Sequence, residues 1–246
     1  MLVPFSQPLV QATLLKRYKR FFADALLENG QEVTAHCANT GSMKTCAQPG
    51  DTVFLLHNPS PTRKLAYTWE LTAVEGGFVG VNTARPNQLA KAAVTHGRIS
   101  ELLGYADVRS EVKYDEDSRI DLLLSGCIDA KKAGQRSEHQ CFVEVKNTTL
   151  LSGDSVMFPD AVTSRGLKHL RALESMVRQG HRAVMLYMVN RPEGKVFKVA
   201  TSIDPAYAEG LCHAVKAGVE VLAYRVTHSV LGLDLGGPVE VMLPAR

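Results

Sequence analysis

The sequence predicts a two-domain α+β protein, in which a small β-barrel over residues 1–84 precedes an α/β domain over residues 85–246 with a mixed central sheet flanked by helices. Two observations support this prediction. In the first third of the chain, short apolar segments alternate with turn residues at intervals of about 8–12 residues, which is typical of antiparallel barrels. After Arg85-Pro86, segments with apolar residues at helical spacing alternate with strand-like segments.

The first domain is expected to contain five or six strands and no helix. Turn residues separate the candidate strands, for example Asn29-Gly30, Pro49-Gly50 and Gly76-Gly77. Closure of the sheet into a barrel is expected because it leaves no strand edge open to another chain. The candidate strands are LVQATLLKRY, RFFADALLE, EVTAHCANT, DTVFLLHN, KLAYTWELTAVE and FVGVNT.

The second domain is expected to begin with a helix, NQLAKAAVTHGRISELLG, and to continue with three strands, a second helix and further strands. Thr163 is a candidate N-cap of the second helix and Gly180 its end, while Pro205 marks the first turn of a third helix. The last strand is expected to close the sheet. The candidate strands are DVRSEVKYD, SRIDLLLS, CFVEVKNTTL, RAVMLYMVN, VFKVAT and VEVLAYRVTH.

The composition indicates a globular protein of the cytoplasm. Apolar residues make up 45% of the chain and charged residues 22%, and no apolar run reaches the roughly 18–20 residues that a membrane span needs, so no membrane partner is expected. The five cysteines are odd in number and form no CxxC pair, which argues against a disulfide framework or a zinc site. A net charge of +3 permits nucleic-acid binding without indicating it, and the oligomeric state, including a homo-oligomer, stays open.

Two neighbouring strand candidates carry charged residues in a pattern that suits a metal site. Side chains alternate along a strand, so Glu144 and Lys146 share one face while Val143 and Val145 point to the other. Asp121 lies on the preceding strand of the same hairpin. A lone E-x-K sequence is usually only a surface salt bridge. Here the pair lies in the order helix, three strands, helix, strand, which matches the order in PD-(D/E)XK nucleases. We therefore expect two carboxylates and one ammonium group to converge.

This grouping suits the hydrolysis of phosphodiester bonds and is typical of PD-(D/E)XK nucleases. Asp121 and Glu144 are the expected ligands of Mg²⁺ or Mn²⁺, which prefer oxygen donors, and the main-chain carbonyl of Val145 is a further candidate. Lys146 is expected to orient or deprotonate the attacking water, or to stabilise charge on the phosphate. Sequence motifs of other enzyme classes (GxGxxG, GxxxxGK[ST], GxSxG and HExxH) are absent, and Cys37 has no evident catalytic partner beyond its neighbour His36.

Two helices offer further candidates near this site. Glu101, near the end of the first helix, is expected to be an outer metal ligand, with an ordinary surface charge as the alternative. Arg165, Lys168 and His169 share one face at the start of the second helix, where free amide groups also favour anions. This face is expected to bind nucleic-acid phosphates. For His169, the alternative is a residue of the helix surface.

The densest basic run of the chain lies in the expected barrel and comprises Lys16, Arg17, Tyr18, Lys19 and Arg20. If the run is a strand, Lys16, Tyr18 and Arg20 share one face. Cations interleaved with an aromatic ring can follow a phosphate backbone and stack a base, so this run is expected to bind nucleic acid. The alternative is a solvated strand edge on which lysines discourage aggregation.

Distinctive segments occur along nearly the whole chain, including QATLLKRYKRF, HCANTGSM, FVEVKN, FPDAVTSRGLKHLRAL and VEVLAYR, and together they closely resemble the sugar fermentation stimulation protein A family. The resemblance implies a DNA-binding protein with an oligonucleotide-binding (OB)-like barrel, a PD-(D/E)XK-like domain, and a nuclease-type site at Asp121, Glu144 and Lys146. Two departures occur: Ala38 replaces the family's usual proline, and Ile120 rather than proline precedes Asp121. Neither removes a metal-binding group.

The expected function is DNA binding combined with metal-dependent phosphodiester hydrolysis, which the resemblance links to the regulation of sugar fermentation genes. One alternative is a non-catalytic DNA-binding regulator that uses the nuclease fold as a scaffold, although the sequence shows no helix-turn-helix. Another is an enzyme that acts on RNA, which neither the barrel nor the chemistry of the site excludes.

Overall fold

The structure is a computed structural model that describes residues 1–115, 118–127 and 140–244. A two-residue strand, β1 (Val3–Pro4), comes first and lies outside the sheet of the first domain. The next six strands form that sheet; they are β2 (Leu9–Tyr18), β3 (Phe22–Leu27), β4 (Glu32–His36), β5 (Thr52–His57), β6 (Tyr67–Val74) and β7 (Gly77–Gly80). Their order is β4-β3-β2-β5-β6-β7, and a further parallel pairing of β4 with β6 closes β2 to β6 into a barrel. The predicted barrel is confirmed.

Alternation along the barrel strands places apolar side chains inside. In β2, Ala12 and Leu14 are buried, whereas Gln11, which precedes them, and Thr13, which lies between them, are exposed. Trp69 of β6 is fully buried, and its indole N–H donates to the carbonyl of Leu71 at 3.0 Å. The barrel therefore has an apolar core of its own.

The second domain combines helices with ten further strands in its described part. Its elements are α1 (Arg85–Thr95), a 3-10 helix (Ser100–Leu102), β8 (Tyr105–Asp115), β9 (Ser118–Cys127), β10 (Cys141–Thr148), β11 (Leu150–Ser152), β12 (Ser155–Phe158), α2 (Ser164–Arg178), β13 (Arg182–Val189), β14 (Val196–Val199), α3 (Pro205–Lys216), β15 (Glu220–Ser229), β16 (Gly232–Pro238) and β17 (Glu240–Met242). No described helix is long and apolar enough to cross a membrane.

A seven-stranded mixed sheet, with the order β1-β16-β15-β13-β10-β9-β8, forms the centre of this domain. Strands β10, β13 and β15 run parallel, and β9 pairs antiparallel with β10. Val143 and Val145 of β10 pack on the face covered by α1, and Phe142 packs on the face covered by α2 and α3. Because side chains alternate along β10, Glu144 faces α2. A smaller sheet has the order β11-β12-β14-β17.

The structure corrects the sequence-based predictions at three places. β1 pairs with β16, so the start of the chain joins the sheet of the second domain. β16 pairs with β15 on its outer side, so β15 does not close the main sheet as predicted. The first helix ends at Thr95 because Gly97 adopts a left-handed conformation, with φ +65°, and Ser100–Leu102 form a separate 3-10 helix.

Candidate active site

A polar cleft with a volume of ≈ 420 Å³ opens where the barrel meets the second domain. Asp121, Glu144 and Lys146, on β9 and β10, line it. One wall belongs to the barrel and includes Arg20 and the loop 39–41, and the other is the segment that leads from β12 into α2. The three residues predicted as the catalytic centre therefore lie together in a cleft that both domains form.

Asp121 is held in the cleft by a main-chain hydrogen bond at the end of a strand pairing. The pairing of β9 with β10 extends to Leu122 and Val143, and Oδ2 of Asp121 then accepts the N–H of Val145 at 2.7 Å. Burial, followed by the negative charge of Glu144, raises the pKa of Asp121 to about 6. The site thus holds two carboxylates near enough to disfavour each other's ionised form.

Glu144 is 2% exposed and is held through one oxygen only. Oε1 accepts a hydrogen bond from the Lys146 ammonium at 2.6 Å and another from Nδ1 of His169. Burial alone would raise the pKa of Glu144, but these two partners outweigh burial and lower it. Oε2 is buried and has no hydrogen-bond partner among the described residues. An ionised oxygen in that state is costly unless a cation binds it.

His169 lines the cleft and contacts Glu144. This residue is 7% exposed, and its ring turns away from solvent toward Glu144. Nε2 of the ring accepts a hydrogen bond from Nε of Arg165 at 3.3 Å, which leaves the proton on Nδ1 for Glu144. Arg165 lines the cleft, but exposed Lys168 is not among its lining residues. Of the predicted phosphate-binding face, Arg165 and His169 both line the cleft, and Arg165 is the exposed one of the two.

The expectation that Glu101 reaches the site is also corrected. Its carboxylate accepts hydrogen bonds from the hydroxyls of Tyr224, at 2.7 Å, and Ser100, at 2.9 Å, and Glu101 is not among the residues that line the cleft. The early end of α1 explains this, because Glu101 lies in the separate 3-10 helix. The helical contribution comes instead from Asn87, whose side-chain amide donates to Oδ1 of Asp121 at 2.7 Å. No sequence signal distinguishes Asn87 from other polar residues in a first helical turn.

The basic run of the barrel does not form the single face expected for it. β2 ends at Tyr18, and Lys19 and Arg20 follow in a turn with φ values of 48° and 64°. Lys16 pairs with Asp24 at 3.3 Å, and the hydroxyl of Tyr18 donates to the same carboxylate at 3.2 Å. The face that carries Lys16 and Tyr18 is therefore partly neutralised.

Arg17 has a structural role within this run. Its guanidinium donates to the carbonyls of Asn39, at 2.8 Å, Gly41, at 3.0 Å, and Arg20, at 3.2 Å. These bonds fasten the β2–β3 turn to the loop that forms the barrel's wall of the cleft. Within the run, Arg20 is the residue that lines the cleft.

The donor set of the site fits a hard divalent cation with few protein ligands. The described residues contain no group of three or more His, Cys, Asp and Glu side chains arranged to hold a metal. They do offer the carboxylate of Asp121 and the unpartnered Oε2 of Glu144 in one polar cleft. Mg²⁺ commonly binds through one or two carboxylates and completes its coordination with water and substrate phosphate. The residues present therefore fit Mg²⁺ or Mn²⁺.

Comparisons with known proteins agree with this architecture over almost the whole chain. The family model described as the SfsA N-terminal OB domain matches residues 15–81, and the model described as the sugar fermentation stimulation protein RE domain matches residues 84–231. A sugar fermentation stimulation protein homolog of Geotalea uraniireducens is 49% identical over 236 residues, which cover 96% of this chain and 98% of the homolog.

Two further comparisons give the same result. A sugar fermentation stimulation protein homolog of Paramagnetospirillum magneticum is 48% identical over 242 residues, covering 98% of this chain and 99% of the homolog. The structure of Pyrococcus furiosus SfsA in complex with Ca²⁺ is 26% identical, with a TM-score of 0.85 and coverage of 98% of both chains. The chain therefore belongs to the sugar fermentation stimulation protein family.

Proposed function

We propose that the cleft hydrolyses phosphodiester bonds of DNA with the help of Mg²⁺ or Mn²⁺ held by Asp121 and Glu144. The observation that carries this proposal is Oε2 of Glu144, which is buried beside a second carboxylate and has no hydrogen-bond partner in the described part of the chain. A buried carboxylate with an unpartnered oxygen, next to a half-buried second carboxylate, calls for a cation. The relative from Pyrococcus furiosus forms a complex with Ca²⁺, which supports a divalent-cation site in this chain.

The residues of the cleft divide into holding and reacting groups. Asp121 is fixed by the N–H of Val145 and the amide of Asn87, so its carboxylate needs little reorganisation to bind a cation. His169 fixes Oε1 of Glu144 and directs Oε2 away from itself. When bound, the cation supplies electrophilic assistance to the scissile phosphate and makes water a better nucleophile.

Lys146 is the candidate catalytic cation of the protein itself. Its ammonium group lies 2.6 Å from Oε1 of Glu144 and lines the cleft. An ammonium group at this position stabilises the negative charge that develops on the phosphate and holds the attacking water through its N–H groups. Arg20 and Arg165, on the two walls, bind the phosphate backbone on either side of the reacting group.

Cleavage of end-labelled oligonucleotides tests the proposal. Single- and double-stranded DNA and matched RNA are incubated with Mg²⁺, Mn²⁺ or a chelator, using the wild type, Glu144→Gln and Lys146→Ala. Exposed Glu209→Gln and Lys91→Ala are the matched controls. We expect cation-dependent cutting of DNA that falls by at least about 100-fold in the two cleft variants and persists in the controls.

Four results would overturn the proposal. Cutting that survives chelation would remove the role of the cation, and equal cutting by Glu144→Gln would remove the role of the carboxylate. DNA binding without cutting, at equal affinity in all five proteins, would identify a DNA-binding scaffold instead. Cutting of RNA alone would replace the proposed substrate.

A further inference from the structure

The turn between β2 and β3 has a backbone conformation that its residues do not favour. Lys19 and Arg20 are adjacent and have φ values of 48° and 64°, in the left-handed region. Tight turns between antiparallel strands usually place Asn or Gly at such positions, because side chains with a Cβ atom are disfavoured there. Backbone strain of this kind persists where the surrounding structure fixes it, and it is concentrated at functional sites.

The surrounding structure does fix this turn. The guanidinium of Arg17 donates to the carbonyl of Arg20 at 3.2 Å and to the carbonyl of Asn39 at 2.8 Å, which ties the turn to the cleft loop. The N–H of Cys37 donates to the carbonyl of Phe21 at 2.8 Å. As a result, the exposed side chain of Arg20 is presented to the cleft.

The charges around the cleft are arranged for a polyanion. Arg20 lines the cleft from the barrel and Arg165 lines it from the second domain, and the carboxylates of Asp121 and Glu144 line the same cleft. A further acid of the cleft, Asp160, is engaged by the hydroxyl of Ser42 and the N–H of Met43, both at 3.3 Å. The two arginines are therefore placed to bind phosphates on either side of the acidic centre.

Aromatic rings lie in and next to the turn that carries Arg20. Phe21, next to Arg20, is 47% exposed. At the base of the same turn, the rings of Tyr18 and Phe22 stack with centroids 5.5 Å apart, and the Lys16 ammonium lies 5.5 Å from the centroid of Tyr18. Sites for single strands combine cations with rings on which unpaired bases stack, whereas paired bases in a duplex offer no free face.

The size of the cleft agrees with a single strand. Its volume of ≈ 420 Å³ lies within the range of about 300–1,000 Å³ found for small-molecule pockets, so it accommodates roughly one nucleotide unit. The carboxylates that would hold the cation line it together with residues of both domains. A substrate reaches these carboxylates as one strand more readily than as two paired strands.

We propose that the substrate is a single-stranded nucleic acid, which Arg20 and Arg165 grip by its phosphates while Phe21 stacks a base. This inference rests on the proposed function in one respect, the binding of nucleic acid in the cleft. Phe21 is then the residue that favours single strands, and the turn presents Arg20 next to it as the phosphate contact. Substitution by glycine, which adopts positive φ without strain, removes the side chain and relaxes the backbone together.

Fluorescence anisotropy tests the inference by measuring binding in the absence of divalent cations. The labelled ligands are single-stranded DNA, a duplex of the same sequence and matched single-stranded RNA. The variants are Arg20→Gly and Phe21→Ala. Arg63→Gly, in the exposed segment between β5 and β6, is the control with the same change of charge.

We expect Arg20→Gly to weaken single-strand binding about tenfold and to reduce the salt slope by about 1, while the melting temperature is unchanged or higher. Phe21→Ala is expected to weaken binding about fivefold or more. Arg63→Gly is expected to leave the single-strand affinity and the salt slope near the wild-type values. An unchanged or raised melting temperature would show that a lost contact, and not a damaged fold, explains the lower affinity.

The inference is overturned if the wild type binds the duplex more tightly than the single strand, or if Arg20→Gly binds single strands like the wild type. These failures differ from failure of the proposed function. Cleavage that depends on Glu144 while Arg20→Gly binds normally would overturn the inference alone. Single-strand binding that depends on Arg20 in a protein that cuts no substrate would support the inference and overturn hydrolysis.

Discussion

The side-chain amide of Asn87 donates a hydrogen bond to Oδ1 of Asp121 at 2.7 Å. This contact joins the first turn of α1 to the strand that carries the first carboxylate. The other oxygen of Asp121 is already bound by the N–H of Val145, so both oxygens of the carboxylate have fixed directions. The position of α1, directly after the barrel, is thereby coupled to the geometry of the proposed metal site.

Asn87→Ala is expected to weaken metal-dependent activity without abolishing it. Loss of a residue that orients a metal ligand typically costs about 10–100-fold in metal affinity or activity. The cleavage rate is measured against Mn²⁺ concentration, and the half-saturating concentration is expected to rise. Gln88→Ala, an exposed neighbour on the same helix, is the control. An unchanged half-saturating concentration in Asn87→Ala would show that the amide does not position the carboxylate.

Stability is expected to fall in acid because of His228, which lies in β15 against Gly80 of the barrel. Nε2 of His228 lies 3.0 Å from Oδ1 of Asn190, and Nδ1 is buried without a described partner. Burial lowers the pKa of His228 from 6.5 to about 4. Since the unfolded chain binds more protons than the native one between these values, stability is kept above about pH 6.5 and is lost as the pH falls toward 4.

Urea unfolding measures this effect. Between about pH 7 and pH 4.5, the contribution of His228 to the free energy of unfolding is expected to fall by on the order of 2 kcal/mol. His228→Asn removes the titrating group, so its stability should depend less steeply on pH, whatever its absolute value. Exposed His96→Gln should keep the slope of the wild type. Equal slopes in all three proteins would contradict the assignment.

Arg191 joins the two domains and is expected to be a major source of stability. It is 2% exposed, and Nη1 donates to the carbonyl of Thr149 at 2.6 Å and to the hydroxyl of Thr45, from the barrel, at 2.9 Å. Nη2 pairs with Glu193 at 2.7 Å. Arg191→Met keeps the aliphatic volume but removes these hydrogen bonds and the ion pair, and we expect a loss of about 3 kcal/mol in the free energy of unfolding.

Chemical unfolding of Arg191→Met and of Arg63→Met provides the comparison. The exposed control should change the free energy of unfolding by less than about 0.5 kcal/mol. A loss below about 1 kcal/mol in Arg191→Met would mean that the contact between the domains depends on other groups, such as the pair of Arg85 with buried Glu70 at 2.8 Å.

Local patterns predicted most of the fold. Alternation along β2 and the turn residues of the first domain identified the barrel, and the spacing of Glu144 and Lys146 predicted that their side chains meet, as they do at 2.6 Å. Such patterns act within one element or one hairpin, where the sequence spacing fixes which face a side chain occupies.

The remaining features depend on contacts between distant segments. Asn87 reaches Asp121 and His169 reaches Glu144 only after helices pack on the sheet, and neither residue carries a local signal of that contact. β1 is two residues long and is recognisable only through its pairing with β16 at the other end of the chain. The sequence predicts Glu101 at the site because apolar residues at helical spacing continue past Gly97, but the left-handed backbone of Gly97 ends the helix.

The central claim is that Asp121 and Glu144 together hold the cation on which hydrolysis depends. The most direct test is a crystal structure of the protein with Mn²⁺, in which anomalous scattering locates the metal. We expect one peak in the cleft, within about 2.0–2.6 Å of an oxygen of Asp121 and of Oε2 of Glu144. A cleft without a peak at saturating Mn²⁺, or Mn²⁺ bound only elsewhere on the molecule, would contradict the claim.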